Sequence, residues 1–338
     1  MQSFSDSLYL YIVKTIRHLL LLCLVCWVSI VRAGDVYAVI VSGGRSRMFN
    51  HERYWNDCAF LYRTLRQDLL IPKERITLLM ADGDSPANDM LLEKAAGFAS
   101  SSVDLDDDGQ ADLTLAATRK NLEEAFQQLS DRLTNNDHLF IFITDHGEQD
   151  SSGEVHLWLW GSEQIVPAEL AEMVGLCRPA TINILLGQCH AGAFAEPLQS
   201  DRRIITAACQ ANQMSWACKE RPYDEFVYHW TCAIAQHDEQ GQPVNSDQNG
   251  DGHISMQEAF DYARQHDCRP ETPSMTCSPV TLASQWSLDG GGAGIGIDGL
   301  TNLRQSHADK AVYDLQGRKI REYFLYDAVI GLAVASYK

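Results

Sequence analysis

Two blocks of the sequence are almost wholly apolar: 138–144 (HLFIFIT) and 181–186 (TINILL). A strand that is apolar on both faces belongs inside a sheet covered on both sides. Further apolar blocks stand at 35–42 (DVYAVIVS), 75–80 (RITLLM) and 203–207 (RIITA). Helical stretches separate them. Residues 50–70 carry Phe60, Leu61, Leu65 and Leu69 on one side and stop at Pro72. Further helices are expected at 118–133, 167–174 with Pro167 in the first turn, 223–235 and 255–265. The alternating stretch 154–160 (EVHLWLW) reads as a hairpin arm. Strands alternating with helices predict an α/β fold with a mainly parallel sheet and helices on both faces. In such folds ligands collect beyond the carboxyl ends of the strands.

Two of those strand ends carry reactive residues. HLFIFIT is followed by Asp145-His146-Gly147, and TINILL by Gly187-Gln188-Cys189-His190. A thiol becomes a nucleophile when a nearby imidazole takes its proton or stabilises its thiolate. A glycine beside it lets a backbone N–H approach closely enough to serve a developing oxyanion. Taken singly, each residue reads as an ordinary core cysteine or strand-end histidine. Delivered together to one sheet edge, they read as a catalytic pair. His190 adjoins the thiol, but neighbours at a tight turn diverge, so His146 is the expected base.

The leader has its own pattern. Lys14, Arg17 and His18 precede the apolar run 19–31, and Val31-Arg32-Ala33 follows as a cleavage site. Residues 1–33 are therefore expected to be a secretory signal peptide, because 13 apolar residues fall short of the ~20 that span a bilayer. The expected destination is the outside or the cell envelope, with no membrane span once the leader is gone. The whole chain has 338 residues and a net charge of −18; losing the leader, with Lys14, Arg17, Arg32 and Asp6, makes that −20. This acidity argues against nucleic acid as a partner. Eight cysteines remain after the leader: Cys58, Cys177, Cys189, Cys209, Cys218, Cys232, Cys268 and Cys277. Export would permit disulfides among them, and the spacing leaves the pairing open.

The acid is concentrated in two loops. Residues 247–258 (DQNGDGHISMQE) fit the twelve-residue EF-hand calcium loop. Asp247, Asn249 and Asp251 would offer side-chain oxygens, His253 its carbonyl and Glu258 a bidentate clamp, with Ile254 packed beneath. The stretch 104–112 (DLDDDGQAD) repeats the spacing through Asp104, Asp106, Asp108 and Asp112, but position twelve is Leu115. Structural calcium is the expected cofactor, and no organic cofactor is expected. After 288 the character changes. A glycine-rich linker is expected over 289–310, and a short tail follows at 311–338. AVYDLQGRKI within it resembles the start of the C-terminal sorting module of exported bacterial proteins, with its usual continuation missing.

The paired blocks ending in His-Gly and x-Cys resemble the caspase-like cysteine peptidases. TDHG at 144–147 and QCHAG at 188–192 are most similar to the legumain branch, which includes the catalytic subunit of GPI transamidase. YAVIVSGG (37–44), NHERYWNDC (50–58) and ITAACQANQMSWAC (205–218) resemble further parts of that branch, and the resemblance covers about residues 35–240. It implies a caspase-like domain over 34–288, with Cys189 as nucleophile and His146 as general base and acid. It also implies an oxyanion hole formed by the N–H groups of Gly147 and Cys189. Gln188, Ser215 and Trp216 become candidates for substrate binding. The chain departs from the branch in three places. Gln188 replaces Glu or a small polar residue, Arg45 stands where the branch has Asn, and the basic pair near the P1 pocket is Glu52-Arg53. The expected activity is cleavage of protein or peptide substrates by an exported cysteine endopeptidase. The alternatives are a transamidase or ligase using the same thioester, and an idle peptide-binding module stabilised by calcium.

Overall fold

The computed structural model describes residues 34–93, 97–113 and 115–290. The expected signal peptide, most of the linker and the tail at 311–338 lie outside them. Six strands form the central sheet: β1 (Val36–Ser42), β2 (Ile76–Met80), β3 (His138–Thr144), β4 (Thr181–Leu186), β5 (Arg203–Ala207) and β6 (Ser274–Ser278). Their order is β6-β5-β4-β3-β1-β2. The five consecutive strands from β5 to β2 run parallel, and β6 closes the edge antiparallel to β5. Every side chain of β3 and β4 is buried, as two-sided apolar strands require.

Helices cover both faces. On one lie α1 (Glu52–Arg63), α4 (Glu225–Ala235) and α5 (Met256–His266), sharing a core with Ile40, Phe140, Phe142 and Leu185. On the other lie α2 (Arg119–Arg132) and α3 (Pro167–Leu176), packed on Val39, Ile141, Ile143 and Ile184. Alternate residues of one strand thus feed opposite cores. Thr118 caps α2, its side chain accepting the Asn121 N–H, and Pro167 opens α3. The helix expected over 50–70 is α-helical only to Arg63 and continues as a wider π turn over Thr64–Asp68. Beyond β3 the chain forms a small antiparallel sheet from Gly147–Gln149, Val155–Trp158 and Gln164–Ile165, which absorbs the expected hairpin arm.

Strand β6 (SMTCS) had no sequence signal: it is polar and half-exposed, and only its pairing with β5 makes it a strand. The eight cysteines of the described residues are free thiols. Cys209 lies buried with its Sγ 3.6 Å from the Gln188 carbonyl, and Cys268 donates to Glu225 at 2.9 Å. Among the described residues, no helix is long and apolar enough to cross a membrane.

Phe140 stacks on Trp230 with centroids 5.5 Å apart and planes 4° apart, and both side chains are fully buried. Truncating a buried aromatic leaves a cavity that the rigid sheet and helix cannot close. Phe140→Ala should therefore cost about 3–5 kcal/mol, read as a lower urea midpoint with an unchanged m-value.

Candidate active site

Register places the two reactive residues. Ile143 lies opposite Leu186 in the β3–β4 pair, and the Gly187 N–H donates to the Ile143 carbonyl at 2.8 Å. His146 and Cys189 follow at equal distances beyond these partners, so both leave the sheet at one carboxyl edge. The approach is tightest at Gly147. A Cβ there would stand 1.9 Å from the Cys189 carbonyl oxygen, an impossible contact, so only glycine fits. The two backbones that the sequence singled out are therefore in van der Waals contact.

Backbone groups and neighbouring aromatics orient His146. Its Nε2 lies 2.8 Å from the Phe49 carbonyl oxygen. A carbonyl only accepts, so Nε2 carries the proton and Nδ1 holds the lone pair, the basic atom. Tyr54 packs edge-on at 5.3 Å and Phe49 edge-on at 5.9 Å, fixing the ring plane. Ahead of the ring, Asp145 is buried and accepts the N–H groups of His146 (2.5 Å) and Gly44. Its carboxyl is pushed up to about 8 by burial, against the pull of those two amides. Asp145 thus ties the end of β3 to the turn after β1. His190 is turned away, its Nδ1 2.8 Å from the Ala211 carbonyl and its N–H donating to Gln213.

Cys189 is clasped by the segment that the sequence named as a pocket wall. The Ser215 N–H donates to Sγ at 3.3 Å, and the thiol lies 3.6 Å from the Ser215 carbonyl. The Ser215 hydroxyl donates to the Gly187 carbonyl at 2.7 Å, binding this wall to the cysteine loop. Trp216 is exposed, and its N–H donates to Glu271 at 3.1 Å. Burial pushes the Glu271 carboxyl to about 9, with Asp267 adding to the push. At neutral pH Glu271 is therefore an uncharged support for the wall. Gln188, the third candidate for substrate contact, is fully buried, and its amide N and O have no hydrogen-bond partner.

Sequence reasoning missed much of the charge beneath the site. Arg53 donates from Nε to Asp224 at 2.8 Å, from Nη1 to Glu93 at 2.8 Å and from Nη2 to the Tyr54 hydroxyl at 2.9 Å. Asp224 also accepts the Thr144 hydroxyl, at 3.2 Å, and its N–H donates to the buried Asp57. Burial, then the neighbouring Asp224, holds Asp57 well above the usual carboxylate range. Arg53 had been singled out, but Asp224 lies 171 positions away and no local pattern links them.

A model described as the Peptidase C13 family matches residues 36–266, more than half of the chain. The chain belongs to the peptidase C13 family. No curated protein sequence matches it. The C13 family is that of legumain and GPI transamidase, so the chain is a cysteine peptidase-type enzyme of caspase-like architecture, acting as a peptidase or transamidase on protein substrates.

The resting protonation of this C13 site follows from its burial. Burial pushes the Cys189 thiol up, despite the Ser215 N–H that favours a thiolate. Burial likewise holds His146 below the usual imidazole range, with Phe49 pulling the other way and Arg53 adding to the fall. Both shifts disfavour charge. Without substrate, both partners are thus shifted toward their neutral forms. Iodoacetamide should therefore alkylate Cys189 slowly at pH 7 in the absence of substrate. Its rate should still be climbing at pH 10, where a free thiol, with its pKa of about 8.5, is close to its plateau. Mass spectrometry of the Cys189 peptide across pH 6–10 checks this.

Proposed function

We propose that this chain is an exported cysteine endopeptidase in which Cys189 attacks the scissile carbonyl. The carrying observation is the convergence at one sheet edge of Cys189, Gly147 and a His146 whose lone-pair nitrogen is Nδ1. As substrate enters, Nδ1 takes the thiol proton while Sγ bonds the carbonyl carbon, and the N–H groups of Gly147 and Cys189 receive the oxyanion. The same imidazolium then returns the proton to the leaving amine, and water cleaves the thioester. Met48, Phe49, Met214 and Trp216 are four of the exposed large apolar residues, and they belong to the two segments flanking the pair. Such a rim suits an extended peptide. Beneath it Arg53 is paired with Asp224 and Glu93, and burial shifts Glu271 toward its neutral form, so an uncharged P1 side chain is favoured over Lys or Asp.

Cys189→Ala and His146→Ala should each abolish turnover of a peptide library while leaving the circular dichroism spectrum unchanged. In wild type, cleavage after neutral P1 residues should exceed cleavage after Lys or Asp at least tenfold. Added hydroxylamine should divert only a minor share of product. Product that is mostly hydroxamate would make the enzyme a transamidase, and turnover by Cys189→Ala would remove the assignment altogether.

Calcium at 247–258 belongs to the same proposal. Asp247 accepts the N–H groups of Gly250 (2.7 Å) and Gly252 (2.9 Å), while Asn249 and Asp251 accept those of Asp251 and His253. The chain is thereby wound around its own oxygens, with Gly250 and Gly252 at positive φ. Glu258 is buried and reaches back to the N–H groups of Gln248 and Asn249, while Ile254 is buried at the base. Ser255 and Glu258 also form the capping box of α5. A cation here would fix the start of α5, which packs on α4 through Phe260 and Phe226. At one hundred times Kd, Ca²⁺ should stabilise the fold by about 2.7 kcal/mol, raising Tm by several degrees relative to EGTA. Asp247→Asn combined with Glu258→Gln should remove most of that rise in a thermal scan.

A further inference from the structure

We propose that the aspartate loop at 104–112 is a second, independent site for a hard divalent cation of the Ca²⁺ class, with Asp104, Asp106 and Asp108 as its ligands. Each of these residues offers a carboxylate oxygen, and the three oxygens lie within 4.8 Å of one another. Acidic residues cluster on many surfaces without binding anything, so the decisive observation is the state of Asp106. Its side chain is only 6% exposed, yet its buried Oδ1 has no hydrogen-bond partner. Its Oδ2 is 3.9 Å from Arg66 Nε, too far for a hydrogen bond, and that Nε is itself buried without a partner. Asp106 therefore brings a buried carboxylate with one unpartnered oxygen into a cluster with two further carboxylates, with Arg66 as an ion-pair partner at 3.9 Å. A buried unpaired oxygen is costly, and a divalent cation among the three removes both that cost and their mutual repulsion.

The donor set chooses the cation. All three ligands are carboxylates, with no imidazole or thiol among them, so a hard oxygen-seeking ion fits and zinc does not. Asp112, which the spacing nominated as a fourth ligand, has another task. It is bound to Lys73 Nζ at 2.7 Å, to the Tyr62 hydroxyl at 2.8 Å and to the Leu105 N–H at 2.8 Å. It anchors the loop and does not face the cation. With no bidentate glutamate at position twelve, affinity belongs to the weak range of extracellular modules, about 10⁻⁴–10⁻³ M.

The loop is strapped to the helix that carries Arg53 and Tyr54. Arg63 donates to the Leu105 carbonyl at 3.1 Å, Gln67 to the Asp106 carbonyl at 3.3 Å, and Trp55 Nε1 to the Ser102 carbonyl at 2.9 Å. Leu105 and Leu113 are fully buried in the core shared with Tyr62 and Leu65. Occupancy of the loop would therefore stiffen α1, remote from the thiol.

The test is isothermal titration of the full chain with Ca²⁺ alone, on wild type, Asp106→Asn, Asp104→Asn, and Asp247→Asn/Glu258→Gln. Asp106→Asn and Asp104→Asn should each remove one Ca²⁺ per chain or weaken it at least tenfold. The double variant should keep that weak ion. Thermal scans guard against misfolding: in EGTA, Asp106→Asn should melt no lower than wild type, because it loses repulsion, and Ca²⁺ should raise its Tm less. The proposal is overturned if Asp106→Asn and Asp104→Asn bind as many Ca²⁺ as tightly as wild type. It is equally overturned if the double variant binds none, or if Asp106→Asn gains as many degrees from Ca²⁺ as wild type does.

Discussion

The register of one pair of parallel strands governs the chemistry of this molecule. With Ile143 opposite Leu186, the histidine and the cysteine emerge side by side, and their backbones meet at Gly147. A slip of one residue would turn every side chain of β3 to the other face, exchanging the two cores as well as separating the pair. The apolar blocks that make both strands two-sided therefore do more than fill space. They make the register costly to violate, because Phe140 and Phe142 fit one layer of helices while Ile141 and Ile143 fit the other.

Burial then sets the electrostatic character of the site. The thiol and the imidazole are both shifted toward their neutral forms, and Glu271 behind the Trp216 wall is shifted the same way. Beneath them Arg53 is paired with two carboxylates, Asp224 and Glu93, each at 2.8 Å. In the proposed mechanism, proton transfer would follow the replacement of water around the pair by substrate.

How much of this was legible follows from where each signal lies. The blocks at 138–144 and 181–186 coincide with β3 and β4 because continuous apolarity is local, and the residues just beyond them come with them. Strand β6 was invisible because SMTCS is polar, and its conformation is imposed by β5. The helix expected over 50–70 loses α geometry after Arg63, although its apolar spacing continues to Leu69. At the site, Ser215 and Trp216 were nominated from a likeness in the surrounding segment; Ser215 contacts the Cys189 thiol, and Trp216 follows it as an exposed neighbour. Gln188, nominated from the same resemblance at the position before the cysteine, is fully buried. Phe49, which orients His146 through a backbone carbonyl, could not be found from residue type, since any amino acid supplies that oxygen. Asp224 and Glu271 act through contacts with segments distant in sequence, where periodicity carries no information.

The pairing of Arg53 with Asp224 has a consequence for synthesis. A ribosome delivers residues in order, and these two partners are 171 positions apart. A nascent chain that has just exposed Cys189 already holds both the thiol and the His146 imidazole. It still lacks the wall at Ser215, the carboxylate at Asp224 and the helix that begins beside it. Arg53 then has no buried counter-ion, and the thiol has no Ser215 N–H to hold it. The contacts around Arg53 and Cys189 are accordingly completed only when the second half of the fold closes over the first.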